Sequence, residues 1–264
     1  MKYLFSFLLG SLIFITSCKK HDTSEEDTYT LVWSDEFNYT GLPDSTYWSY
    51  EEGALRSQSA YYQNARLENS KVDNGLLTIT ALNDSISTGP ISSASVITKG
   101  KVDFKYGKLE VRAKMPSAKG TWPAIWTLGT NREVVGWPTC GEIDIVECLG
   151  NLPQYVFGSI HKANTEGTDN YITTPYLATT DLYTDFHTYA IVWSETELKF
   201  YFDDVNYVTY TSDQMPAAEW EAFQKTHYLL LNLAVGGTYS GTIDYTAFPM
   251  TYQIDYVRYY KKDE

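Results

Sequence analysis

The stretch Lys108-Leu-Glu-Val-Arg-Ala-Lys-Met115 alternates charged and apolar side chains over its whole length. A strand has a side-chain period of two, so this pattern reads as a half-buried strand. Related signals recur along the chain. Leu76–Ala81 follows the turn Asp73-Asn-Gly75. Phe186–Trp193 and Leu198–Phe202 flank a short polar turn and read as a hairpin. Asp203-Asp204 then turns into Tyr207–Tyr210. Tyr228–Val235 is apolar enough for a central strand and ends at Gly236-Gly237, and Gln253–Tyr260 closes the series. Only Gln214–Lys225 suggests a short helix. Many strands with few helices imply an all-β antiparallel sandwich. The chain has 264 residues, and a single all-β unit reaches about 200–250. A core of that size needs no disulfide scaffold. No second linker, repeat or low-complexity block follows the first segment, which predicts one domain over residues 29–264.

The first residues read as a targeting segment. Lys2 precedes an apolar run, Leu4–Thr16, that suits a signal sequence and is too short to span a bilayer stably. It ends in Ile15-Thr-Ser-Cys18, which resembles the lipobox of bacterial lipoproteins. The resemblance implies cleavage after residue 17 and acylation of Cys18. An ordinary signal peptide that happens to contain a cysteine is the alternative. Residues 18–28 are polar and charged, as in a flexible tether, and their acidic run resembles surface-export tethers of Bacteroidetes. The expected location is the outer membrane or cell surface, with a lipid on Cys18 as the sole membrane contact. The expected state is a monomer. Cys140 and Cys148 flank an acidic stretch read as one strand. Eight extended residues would separate them by about 26 Å, beyond disulfide reach, so both are expected to be free and buried.

The formal net charge is −13. That charge opposes binding to a phosphate backbone, so nucleic acid is not an expected partner. It also disfavours polysulfated or uronic substrates. With 23 Tyr, 11 Phe and 7 Trp, the chain has many flat apolar faces. These suit pleated sheet surfaces and sugar-binding clefts alike.

Glu142, Asp144 and Glu147 lie within Glu142-Ile-Asp-Ile-Val-Glu147. The β-branched neighbours argue for a buried strand. In a regular strand Glu142 and Asp144 share one face and Glu147 falls on the other. A bulge that absorbs one residue would return Glu147 to the first face. Three carboxyls in one cleft raise at least one pKa. Glycoside hydrolysis needs that combination of an ionised carboxylate and a carboxylic acid. Glu142 would be the nucleophile, Glu147 the acid and base, and Asp144 the group between them. A calcium site and a chance acidic edge are the other readings of these residues.

The motif resembles the E-x-D-x-x-E signature of glycoside hydrolase family 16, in the bulged form of its laminarinase-like members. Further segments resemble that family in order: Trp33–Phe37, Tyr106–Pro116, Gly120–Gly129, Trp137–Gly141, Leu231–Gly237 and Ile254–Arg258. The resemblance covers about Leu31 to Tyr260. It implies a β-jelly roll of two curved antiparallel sheets with a concave substrate cleft. It implies an endo-acting, retaining hydrolase of β-1,3-glucan or mixed-linkage β-1,3/1,4-glucan, with no cofactor for catalysis. Trp122, Trp126 and Trp137 become cleft aromatics, with Trp126 equally suited to the core. His161 and Asn232 become polar cleft residues. Glu36, the Gly75 carbonyl and Asp255 match a structural Ca²⁺ site of the family. Two departures stand out. Arg56-Ser-Gln-Ser-Ala-Tyr-Tyr62 replaces the usual Asn-Glu pair before Gln-Tyr-Tyr, and Tyr239 stands where a Trp usually follows Gly-Gly. Both bear on linkage preference.

Hydrolysis of a marine galactan, in the manner of agarases and carrageenases, is one alternative. The cleft segments show no obvious cluster of Arg and Lys for sulfate. A non-catalytic surface glycan-binding protein is another, although it would have no reason to keep all three acids. Transglycosylation uses the same residues.

Overall fold

A computed structural model describes residues 27–56, 58–86 and 89–264. The signal segment, Cys18 and nearly all of the tether lie outside the described residues. The strands in chain order are β1 (Tyr29–Asp35), β2 (Ser49–Glu51), β3 (Ala60–Tyr62), β4 (Ser70–Asp73), β5 (Leu76–Asn83), β6 (Ile91–Ser93), β7 (Ser95–Ile97), β8 (Gly107–Lys114) and β9 (Thr121–Gly129). They continue as β10 (Glu142–Cys148), β11 (Tyr155–His161), β12 (Ile172–Leu177), β13 (His187–Trp193), β14 (Glu197–Phe202), β15 (Val205–Thr211), β16 (His227–Val235) and β17 (Met250–Lys262).

Two sheets form a sandwich, as expected for the jelly roll. The larger has ten strands, with β15-β14-β13-β8-β17-β5-β6-β3 as its path and β1 and β4 beside it. The smaller has seven, in the order β12-β11-β10-β9-β16-β7-β2. The pairing is antiparallel except between β3 and β6, which run parallel. The alternating stretch became β8, buried at every second residue. It lies between β13 and β17 in the larger sheet. The helix expected over Gln214–Lys225 is two single turns, α2 (Ala217–Trp220) and the 3₁₀ turn Glu221–Gln224. An unexpected turn, α1 (Arg132–Val135), follows β9.

The centre of the smaller sheet is packed on both faces. β16 is buried at all nine positions. Its Leu229, Leu231, Leu233 and Val235 join the core between the sheets, where each large apolar side chain contributes about 1.5–3 kcal/mol. Tyr228 and Leu230 point the other way, into a second cluster with Ile97, Ala124, Trp126, Leu128 and Cys140. That cluster continues the outer face on which the site lies. Cys140 and Cys148 are free and buried, as expected. Cys148 sits in the core between the sheets and Cys140 in the outer cluster, so β10 itself separates them.

Candidate active site

β10 carries the acidic motif between β9 and β11. Gly141 leads into it with a left-handed φ of 79°, and a Cβ there would lie 2.9 Å from Ala222 Cβ. Glycine alone fits that approach. Along β9, Asp144 pairs with Trp126, Val146 with Ile125 and Glu147 with Ala124. Along β11, Asp144 pairs with Ser159 and Glu147 with Phe157. β10 therefore holds one extra residue between its acids. Ile143, Ile145, Val146 and Cys148 all pack into the core between the sheets. Glu142, Asp144 and Glu147 all line one cleft on the outer face. The bulge keeps two consecutive apolar residues inside and returns Glu147 to the side of Glu142.

Each glutamate receives an indole hydrogen bond. Trp137 Nε1 donates to Glu142 Oε2 at 2.9 Å, and Trp122 Nε1 donates to Glu147 Oε1 at 2.8 Å. His161 Nε2 lies 3.3 Å from Asp144 Oδ2 and 3.8 Å from Glu142 Oε1. Burial and the nearby Asp144 push the Glu147 carboxyl up to about 8, against the Trp122 bond. The same two causes raise Glu142, opposed by the cations of His161 and Arg56. Positive charge is thus gathered on the Glu142 side of the pair. His161 acts on both glutamates, whereas Arg56 adds its charge only at Glu142, an asymmetry of the kind that sets an acid apart from a nucleophile.

The expected aromatic residues differ in role. Trp122 stacks on Tyr239 with ring centroids 5.3 Å apart, beside Glu147. Trp137 is 46% exposed at the rim. Trp126 resolves as both floor and core: it lines the cleft yet is only 5% exposed. The Arg56 guanidinium lies over its ring at 4.7 Å. Its Nε1 donates to Asn232 Oδ1 at 2.6 Å, and Asn232 Nδ2 donates to Tyr62 Oη at 2.9 Å. Asn232 lines the cleft, but most of its amide is committed to these two neighbours.

The cleft continues past both glutamates. On the Glu142 side it is bounded by Arg56, Trp126, Leu128, Arg132 and Trp137. On the Glu147 side it meets Phe157, Tyr171 and Tyr239. The sequence shows no obvious cluster of Arg and Lys in the cleft segments, yet the fold brings Arg56 and Arg132 from distant segments to one end. Arg56 is tied to Glu51 through both nitrogens, at 2.9 and 2.5 Å. Tyr62, Tyr171, Arg56 and Asp169 are site residues that sequence reasoning did not single out. The departure at Arg56–Tyr62 was the signal for two of them.

Glu36, Gly75 and Asp255 lie away from this cleft, at or near β1, the β4–β5 turn and β17. Arg258 donates to both oxygens of Glu36, at 2.9 and 2.8 Å. Arg112 pairs with Asp255 at 2.5 Å. Both carboxylates that would face a calcium ion face a guanidinium instead, so the set does not fit the ion in this arrangement.

The family model for glycosyl hydrolases family 16 matches residues 45–258. A beta-glucanase of Rhodothermus marinus is 37% identical over 97% of this chain and 93% of its own. A keratan-sulfate endo-1,4-beta-galactosidase of Sphingobacterium multivorum is 34% identical over 88% of this chain and 55% of its own. The X-ray structure of the laminarinase from Rhodothermus marinus superposes with a TM-score of 0.83 at 38% identity, covering 90% of this chain and 100% of that one. With sequence relatives aligned along nearly its whole length and a family model spanning most of it, this chain belongs to glycosyl hydrolase family 16.

Proposed function

We propose that the chain is an endo-acting, retaining hydrolase of β-1,3-glucan or mixed-linkage β-1,3/1,4-glucan. The bulge in β10 carries this reading, because it leaves Glu142, Asp144 and Glu147 in one cleft. Glu142 attacks the anomeric carbon while Trp137 orients its carboxylate. Glu147, kept protonated by burial, gives its proton to the departing glycosidic oxygen. It then takes a proton from the water that opens the glycosyl-enzyme. Retention by this route requires carboxyl groups about 5–5.5 Å apart. His161 and Arg56 favour the charge on Glu142, against burial and Asp144. The leaving sugar lies towards Glu147, where Tyr171 and Tyr239 offer aromatic faces. The glycone lies towards Trp137 and Arg56. A cleft that continues on both sides of the reacting pair suits attack within a polymer. Acylation of Cys18 would hold the enzyme at the outer membrane, facing polysaccharide.

Reducing-sugar release from laminarin by the wild type and Glu142→Gln tests the reading. The wild type is expected to release sugar and the variant to lose activity by orders of magnitude. A wild type that releases none from any β-glucan would sink it. One observation favours a second reading, a charged galactan: Arg56 and Arg132 bound the same end of the cleft. Product profiles from laminarin, barley β-glucan, neutral agarose and a sulfated galactan, run side by side, separate the two.

A further inference from the structure

We propose that Asp169 is a positioning residue for the reaction: it holds His161 so that Nε2 stays against Asp144 and Glu142. His161 Nδ1 lies 2.9 Å from Asp169 Oδ2, while Nε2 lies 3.3 Å from Asp144 and 3.8 Å from Glu142. The Nε2 contact is an ion pair and not a hydrogen bond, since Asp144 Oδ2 accepts none, and a ring with a carboxylate at each nitrogen attracts both only when it carries both protons. The imidazole is the sole polar side-chain partner of Asp169 among the described residues, and Asp169 Oδ1 is buried without a hydrogen bond. Tyr171 stacks on the ring with centroids 5.3 Å apart, and Trp137 approaches to 6.0 Å.

The segment that carries Asp169 is itself held. Asn164 N donates to Thr168 O at 2.9 Å, and the Asn164 side chain accepts from Glu166 N and Thr168 N. Asn170 N donates to Lys162 O at 2.8 Å. The Lys162 ammonium, 1% exposed, donates to Asn170 O at 2.6 Å and pairs with Glu219 at 3.4 Å. Glu219 also accepts from Asn170 Nδ2 at 2.8 Å. These contacts fix Asp169 from both sides in sequence.

The groups facing His161 are Glu142, Asp144 and Glu147 from β10, Asp169 and Tyr171 from the β11–β12 connection, and Tyr239 from beyond β16. Arg56 faces it across Glu142. Burial opposes the charged ring, yet Asp144, Glu142 and Asp169 push it up to about 10. That cation lowers both glutamates. If the ring swings away, Glu142 loses its nearest cation and its pKa rises. The acidic limb of kcat/KM then moves to higher pH.

This rests on Glu142 and Glu147 being the reacting pair, which wild-type turnover and its loss in Glu142→Gln test separately. The experiment is a pH profile of β-glucan hydrolysis for Asp169→Ala, Asp169→Asn, His161→Ala and the double variant Asp169→Ala/His161→Ala. Asp169→Ala should lose about tenfold or more in kcat with KM within about twofold, and its acidic limb should move up. Asp169→Asn keeps an acceptor oxygen and should fall between it and the wild type. The double variant should be no more than about twofold slower than His161→Ala. Either of two results overturns the proposal: an acidic limb that stays in place in both Asp169 variants, or losses that multiply in the double variant. If Asp169→Ala does not fold, Asp169→Asn alone decides through its acidic limb. A wild type without turnover overturns both this proposal and the reading beneath it.

Discussion

Trp122→Phe tests the charge state of Glu147 without altering a carboxyl. The indole N–H donates to Glu147 Oε1 at 2.8 Å and holds that carboxyl down against burial and Asp144. Phe keeps an aromatic face for Tyr239, whose ring lies 5.3 Å from Trp122, and removes the donor together with the five-membered ring. A hydrogen bond to a charged group is worth about 1.5–3 kcal/mol. At about 1.4 kcal/mol per pKa unit, its loss would raise Glu147 by about 1–2 units. The carboxylate borders an open cleft, where water replaces part of the bond, so about 0.5–1 unit is expected. The sign follows from the role. Glu147 must be protonated to act as acid, so a higher pKa carries the alkaline limb of kcat/KM upward from near 8. The assay is initial-rate laminarin hydrolysis across the alkaline range at low substrate, with a higher KM also expected from the smaller ring. An alkaline limb that stays in place or moves down would refute the assignment of Glu147 as the acid.

Three further outcomes follow from the same structure. Glu147→Gln should raise Tm more at pH 9 than at pH 5. The folded-state carboxyl sits near 8, so from the ordinary carboxylate range up to about 8 the unfolded chain ionises while the folded one stays protonated, and the wild type loses stability as pH rises; an equal shift at both pH values would contradict this. His227 is fully buried between Thr127 Oγ1 at 3.0 Å and Ala222 O at 3.2 Å, and burial lowers it to about 4. Stability should therefore fall as pH drops from the ordinary histidine range through about 4, by about 3 kcal/mol at most. Denaturant unfolding of the wild type and His227→Gln should show that component only in the wild type. Finally, Arg258 and Arg112 occupy Glu36 and Asp255. Tm with calcium should then differ from Tm with chelator by less than about 2 °C. A larger rise would show that the ion displaces the arginines.

Much of the fold was legible because strand chemistry is local. The alternation over Lys108–Met115 and the apolar run Tyr228–Val235 each report their own burial, and both strands appear within a residue or two of the expected bounds. The three-residue strands β2, β3, β6 and β7 are too short to show a period and exist only through their partners. Turn α1 buries no residue, so it leaves no hydrophobic pattern. The site divides the same way. The bulge was legible because the motif itself breaks the two-residue period between Asp144 and Glu147. Arg56 over Trp126 and Asp169 behind His161 were not, since a charged loop residue says nothing about which side chain it meets. Asn232 was expected as a polar cleft residue, but nothing local shows that its amide is bonded to Trp126 and Tyr62, which lie far from it in the chain.

The central claim is that the bulge sets Glu142 and Glu147 on one side of the sheet as nucleophile and acid. Proton NMR of laminarin hydrolysis, recorded within the first minutes, tests it most directly. Double displacement predicts that the β-anomer of the new reducing end appears first and the α-anomer only as mutarotation proceeds. An α-anomer that appears first would mean inversion, and Glu142 would then be activating water instead of attacking the sugar.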